Sequence, residues 1–198
     1  LPLHLLRDES SIWMCLIVLS MNFPLREVCQ VSMISLTESI LSRASRLERD
    51  LGKSIEGMDC YIDNKVDIEE WSVREVLWHI LEDPEGGLPK AVELIIDGTL
   101  PELTIVADET HLTPERESMD LSAIRQEIRE YFRRLEAVLS EASDGQISRI
   151  TTSCWFPLKN YREDRTSEVL LEGLFLRHWS DHVKQLRALQ LAFSSSGC

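Results

Sequence analysis

Apolar residues return every three or four positions along four stretches of the chain, the spacing of one face of an α-helix. Ser35-Leu-Thr-Glu38 has the form of a capping box, in which a side chain and a backbone satisfy each other's free donors at a helix start. With it, Leu36, Ile40, Ala44, Leu47, Leu51 and Ile55 predict a first helix of about 20 residues. A second box, Ser72-Val-Arg-Glu75, opens a helix carrying Val73, Val76, Leu77 and Ile80. The string Asp83-Pro84-Glu85-Gly86-Gly87-Leu88-Pro89 must then break or kink the chain, ahead of a further helical piece from Lys90 to Asp97 ended by Gly98. Asp120 can cap a third helix, where Leu121, Ile124, Ile128, Tyr131, Leu135 and Val138 form one stripe and Asp144-Gly145 supplies the stop. The last helix starts near Thr166 and runs to about Phe193.

Four such helices, with no convincing run of alternating strand residues, predict an all-α four-helix bundle with two long connections, residues 99–119 and 146–165. The bundle is expected over residues 34–194, with a short tail at 195–198. Residues 1–33 read as an N-terminal extension without a defined fold, with the natural product starting near Met21 or Met33; an extra helix on the bundle is the alternative. The apolar run at 11–21 falls short of the roughly 20 residues that span a bilayer. It also lacks the basic start and small-residue cleavage site of a secretory signal.

At 198 residues the chain suits one domain. A net charge of -13 tells against nucleic acid and anionic membranes, both of which need clustered Lys and Arg. Cys15, Cys29, Cys60, Cys154 and Cys198 are odd in number and contain no CxxC pair, so the expectation is reduced thiols in a cytoplasmic protein, with Cys154 buried or inert.

The chemistry that stands out is histidine. At about 100° per residue, Leu171, Leu174, Phe175, Leu186, Leu189 and Phe193 fall on one stripe of the last helix, with His178 and His182 in its middle. Two imidazoles four residues apart project one turn above the other and can reach a single ion at the Zn–N distance of about 2.0–2.1 Å. Hydrogen-bonded core histidines are the competing reading, although leaving two such rings unpaired in a core costs on the order of 1–3 kcal/mol each. The Glu of the zinc-protease HExxH motif is missing from His178-Trp-Ser-Asp-His182. His79 lies at the margin of its helix's apolar stripe, so position alone does not select it as a third ligand. His4 lies in the extension and His111 in the first long connection, where it is expected to be exposed.

Trp71-Ser-Val-Arg-Glu-Val-Leu-Trp-His79-Ile80, followed much later by His178-Trp-Ser-Asp-His182-Val-Lys-Gln-Leu186, resembles the paired signature of the DinB/YfiT-like superfamily. The similarity runs from about Ser35 to Phe193 and includes helix lengths and long connections. It implies an up-down-down-up four-helix bundle, usually a homodimer, in which His79, His178 and His182 hold a divalent ion, Zn2+ first, with Ni2+ or Fe2+ as alternatives. It further implies a metal-dependent enzyme, an S-transferase or hydrolase activating a low-molecular-weight thiol or water against a small electrophilic substrate. The alternative is a non-catalytic metal-binding or stress-related bundle. Asp83, His111, Trp155 and Tyr161 are candidates for lining the site, and Asp181 is read as a solvated charge that can pair with Arg177 or Lys184.

Overall fold

Each long helix begins where a short polar side chain can take up its free amides. In the computed structural model, which describes residues 34–194, Ser35 and Glu38 form the capping box of α1 (Leu36–Ser54). Ser72 and Glu75 do the same for α2 (Val73–Glu82). The Pro/Gly string at Asp83–Gly87 leaves helical geometry, with Gly86 at φ +84°, and the chain resumes as α3 (Leu88–Ile96). Then follow β1 (Glu102–Thr104), α4 (Pro114–Ser118) and the 21-residue α5 (Leu121–Glu141), capped by Asp120.

Asp144-Gly145 does not simply stop α5. Ser143 and Gln146 form another capping box and start α6 (Asp144–Arg149). The Asp144 carboxylate also accepts from the amides of Leu36 and Thr37, at 3.0 and 3.2 Å, so it caps α1 from across the molecule.

The expectation of an entirely helical fold needs correcting. Beyond α6 the chain forms β2 (Thr151–Phe156) and β3 (Tyr161–Thr166), an antiparallel hairpin, and β1 adds to β2 in parallel, with Leu103 opposite Cys154. β-Branched and aromatic residues give β2 its strand preference. β3 is almost wholly polar, so it carries no alternating apolar signal; Arg162 and Arg165 instead lie over the rings of Trp155 and Phe156. The sheet joins the two long connections, and β3 runs straight into the last helix.

That helix begins as α7 (Ser167–Leu170), loosens into a π-helical turn at Leu171–Arg177 and continues as α8 (His178–Ser194). α1 packs against α5 and α8, and so does α2, which places α1 and α2 at opposite corners of the bundle. Between the helices, Trp179 meets Tyr131, Phe175 and Phe132 at ring separations of 4.6, 5.1 and 5.5 Å. Burying each such large side chain contributes roughly 1.5–3 kcal/mol. Arg74, only 5% exposed, pairs with Asp63 and donates to the carbonyls of Arg116 and Met119, tying the start of α2 to the approach to α5.

Cys154 is fully buried and its thiol is pushed up to about 11 by burial, which makes it inert as expected. Among the described residues no helix is long and apolar enough to cross a membrane. Residues 1–33 and 195–198, for which an extension and a short tail are expected, lie outside the described residues.

Candidate metal centre

α2 and α8 bring their histidines face to face. The Nε2 atoms of His79 and His178 stand 3.1 Å apart, those of His182 and His178 stand 2.9 Å apart, and the three ligand atoms all lie within 4.8 Å of one another. His79, which its own helix did not single out, is the most deeply placed of the three at 3% exposed. His178 and His182 are not sealed from water as their place in the apolar stripe suggested; they are half-buried, and the His178 side chain keeps 28% of its exposure.

Outer partners fix which nitrogen faces inward. The Nδ1 of His79 lies 2.7 Å from the Glu109 carbonyl, which can only accept, so this nitrogen carries the hydrogen and Nε2 presents a lone pair to the cluster. The same holds for His182, whose Nδ1 donates to Gln185 Oε1 at 2.8 Å. Two inward lone pairs therefore meet His178, whose single Nε2 can offer at most one hydrogen between them. A group of electron-rich nitrogens at this spacing suits a cation: tetrahedral zinc with Zn–N near 2.0–2.1 Å sets its ligand nitrogens about 3.3 Å apart. The residues present thus fit a divalent ion, with His79, His178 and His182 as its holders.

Burial pushes the His79 imidazole down to about 4, and the neighbouring His178 and His182 add to this. Burial likewise lowers His178 and His182. All three rings are neutral near pH 7, the state a metal ligand requires. The Asp83 carboxyl moves the other way, to about 6, through burial and the nearby charge of Glu109. Tyr131 is raised well above 10 by burial and, secondarily, by the charge of Asp83.

A cleft of about 960 Å³ opens onto the histidines. Trp71, Leu174 and Leu189 give it apolar walls, while Arg177 and Asp108 add charge. Trp71 lies edge-on to His79 at 4.8 Å and parallel to His182 at 6.2 Å. Of the other candidates, Asp83 lines this cleft, whereas Trp155 and Tyr161 do not. His111 is not the exposed residue expected: its ring stacks parallel to that of His79 at 6.4 Å, its Nε2 is buried without a partner, and its backbone sits at φ +54°. Asp181 is exposed and pairs with Lys184 at 2.6 Å rather than with Arg177.

Gln185 and the Glu109 carbonyl were not anticipated. Gln185 follows His182 by three residues, a spacing that puts the two on one helix face and was legible. Nothing in the sequence marks the Glu109 carbonyl, since any residue supplies one.

No protein-family model and no curated protein sequence matches the chain. A solved structure does, at 19% identity and a TM-score of 0.62, covering 87% of this chain and 94% of the other. It is YfiT from Bacillus subtilis, described as a probable metal-dependent hydrolase with an unusual four-helix bundle topology. With that overlap along nearly the whole of both chains, this chain has the fold of the YfiT four-helix bundle.

Proposed function

We propose that the chain is a divalent-metal-dependent enzyme that activates water or a thiol for attack on a small electrophilic substrate. The observation that carries this reading is the meeting of three neutral imidazoles at the wall of an open cleft. Three protein ligands leave room for a further one, the pattern of catalytic rather than structural zinc sites. The ion's contribution there is Lewis acidity, which lowers the pKa of water or a thiol so that a nucleophile is available near neutral pH.

The chain's own groups do the rest. Glu109 and Gln185 hold two rings with Nε2 inward, fixing their tautomers. Trp71 braces His79 and His182 while presenting a flat apolar surface to the cleft. The apolar wall of Leu174 and Leu189 desolvates what binds beside the histidines, and Arg177 offers a cation to a substrate oxygen. The YfiT description as a probable hydrolase favours water as the nucleophile, with thiol-dependent S-transfer as the other branch. Zinc is the first choice of ion because three imidazoles are a common catalytic zinc set.

The test is a panel of small esters and amides, and of electrophiles with low-molecular-weight thiols, assayed with and without chelator. The expected outcome is turnover of one class, abolished by chelation and restored by metal. A metal-loaded protein inactive toward the whole panel would favour the non-catalytic bundle instead.

A further inference from the structure

Of the three outward-facing ring nitrogens, one has no partner. His178 Nδ1 is buried and makes no hydrogen bond, while the corresponding atoms of His79 and His182 are each held. The Leu174 carbonyl one turn back acts on the His178 ring as a backbone acceptor and raises its pKa, yet Nδ1 makes no hydrogen bond of ordinary geometry to it, and such geometry is what satisfies a buried N–H.

Across the gap stands Asp83. Its Oδ2 lies 4.0 Å from His178 Nδ1, its side chain is only 6% exposed, and no hydrogen bond to its carboxyl is present among the described residues. On α5 a second buried donor is also orphaned, the Tyr131 hydroxyl, and it feels the Asp83 charge. A carboxylate taken out of water without donors is costly, as is a buried N–H or O–H without an acceptor. Three segments, the break after α2, α5 and the start of α8, thus bring together one acceptor without donors and two donors without an acceptor. A side-chain movement of about 1 Å turns the His178 contact into an ordinary hydrogen bond of about 2.8 Å.

We propose that Asp83 is the positioning residue for His178, its carboxylate taking the Nδ1 hydrogen so that Nε2 is held toward the other two histidines, with the Tyr131 hydroxyl donating to the same carboxylate. This rests on the metal-centre reading and completes it: each ring would then have its own outer acceptor, a backbone carbonyl, a carboxamide and a carboxylate. Outer partners of this kind orient a ligand and raise its basicity, and their loss typically costs about 10–100-fold in metal affinity.

The test uses the full chain and two readouts. Zn2+ affinity is measured by competition with a chromophoric chelator for the wild type, Asp83→Asn and Asp83→Ala, and the tautomer of His178 is read in the metal-free proteins by 15N histidine NMR. Asp83→Ala is expected to weaken Zn2+ about 10–100-fold and to release His178 from the Nδ1–H tautomer. Asp83→Asn, which keeps the shape and an accepting oxygen, is expected to fall between, and it decides the matter should the alanine variant fail to fold. Unchanged affinity and tautomer would overturn the proposal, leaving the Leu174 carbonyl as the partner of His178. Lowered affinity with an unchanged tautomer would overturn positioning as well, since charge alone would then account for it. A wild type that binds no Zn2+ is the failure of the metal reading, and the metal-free tautomer still tests the Asp83 contact separately.

Discussion

Between about pH 7 and pH 5 the imidazoles set how acid affects the metal-free protein. His79 titrates near 6.5 when unfolded and near 4 when folded, so in that interval the unfolded chain takes up a proton that the folded one refuses. Its contribution is intact above the unfolded value and is lost as pH falls toward the folded one. His178 and His182 are lowered by burial and act with the same sign. Asp83 acts oppositely: raised from 3.8 to about 6, it binds its proton first in the folded state and offsets part of the loss. Three lowered imidazoles against the raised carboxyls of Asp83 and Glu48 predict a lower urea midpoint at about pH 5 than at about pH 7 in chelator-treated protein. An equal or higher midpoint at the lower pH would contradict the burial assigned to these rings. The residue scale is also where the sequence was most uneven as a guide. His178 and His182 stood out because their spacing is a property of one helix. His79 did not, because what buries it is the packing of α2 between α5 and α8.

The break between α2 and α3 decides where Asp83 points, and it depends on glycine. Gly87 has φ +80° and ψ 148°, and a Cβ there would meet the Leu81 carbonyl oxygen at 2.9 Å. Gly86 has a similar φ of +84° but open space around it. Gly87→Ala is therefore expected to cost roughly 2–3 kcal/mol and Gly86→Ala roughly 1 kcal/mol, read from chemical denaturation. Equal costs would mean that the close approach to Leu81 is relieved elsewhere. This break was readable from Pro84, Gly86 and Gly87, as were the caps at Ser35, Ser72 and Asp120, since all are local. The sheet was not. β1 lies some 50 residues from β2 in sequence, its register with Ser153, Cys154 and Trp155 is a tertiary fact, and β3 has a polar sequence that is stable only against its partner. Asp144 misled for a related reason: read as a stop, it caps a helix that begins at residue 36.

At the scale of the molecule, the bundle places an ion-sized group of nitrogens at the meeting of α2 and α8, with the loop beyond β1 closing behind it through the Glu109 carbonyl. A shared fold with YfiT at 19% identity is consistent with a framework set by the pattern of buried positions more than by particular residues. The sequence resemblance brought His79 into the candidate set, and the packing of two helices explains how it comes to lie beside His178 and His182. The most direct test is calorimetric titration of chelator-treated protein with Zn2+, comparing the wild type with His79→Ala. The account predicts saturable binding of about one ion per chain in the wild type and its loss or severe weakening in the variant. Binding of the same stoichiometry and affinity in both proteins, or none in the wild type, would contradict it.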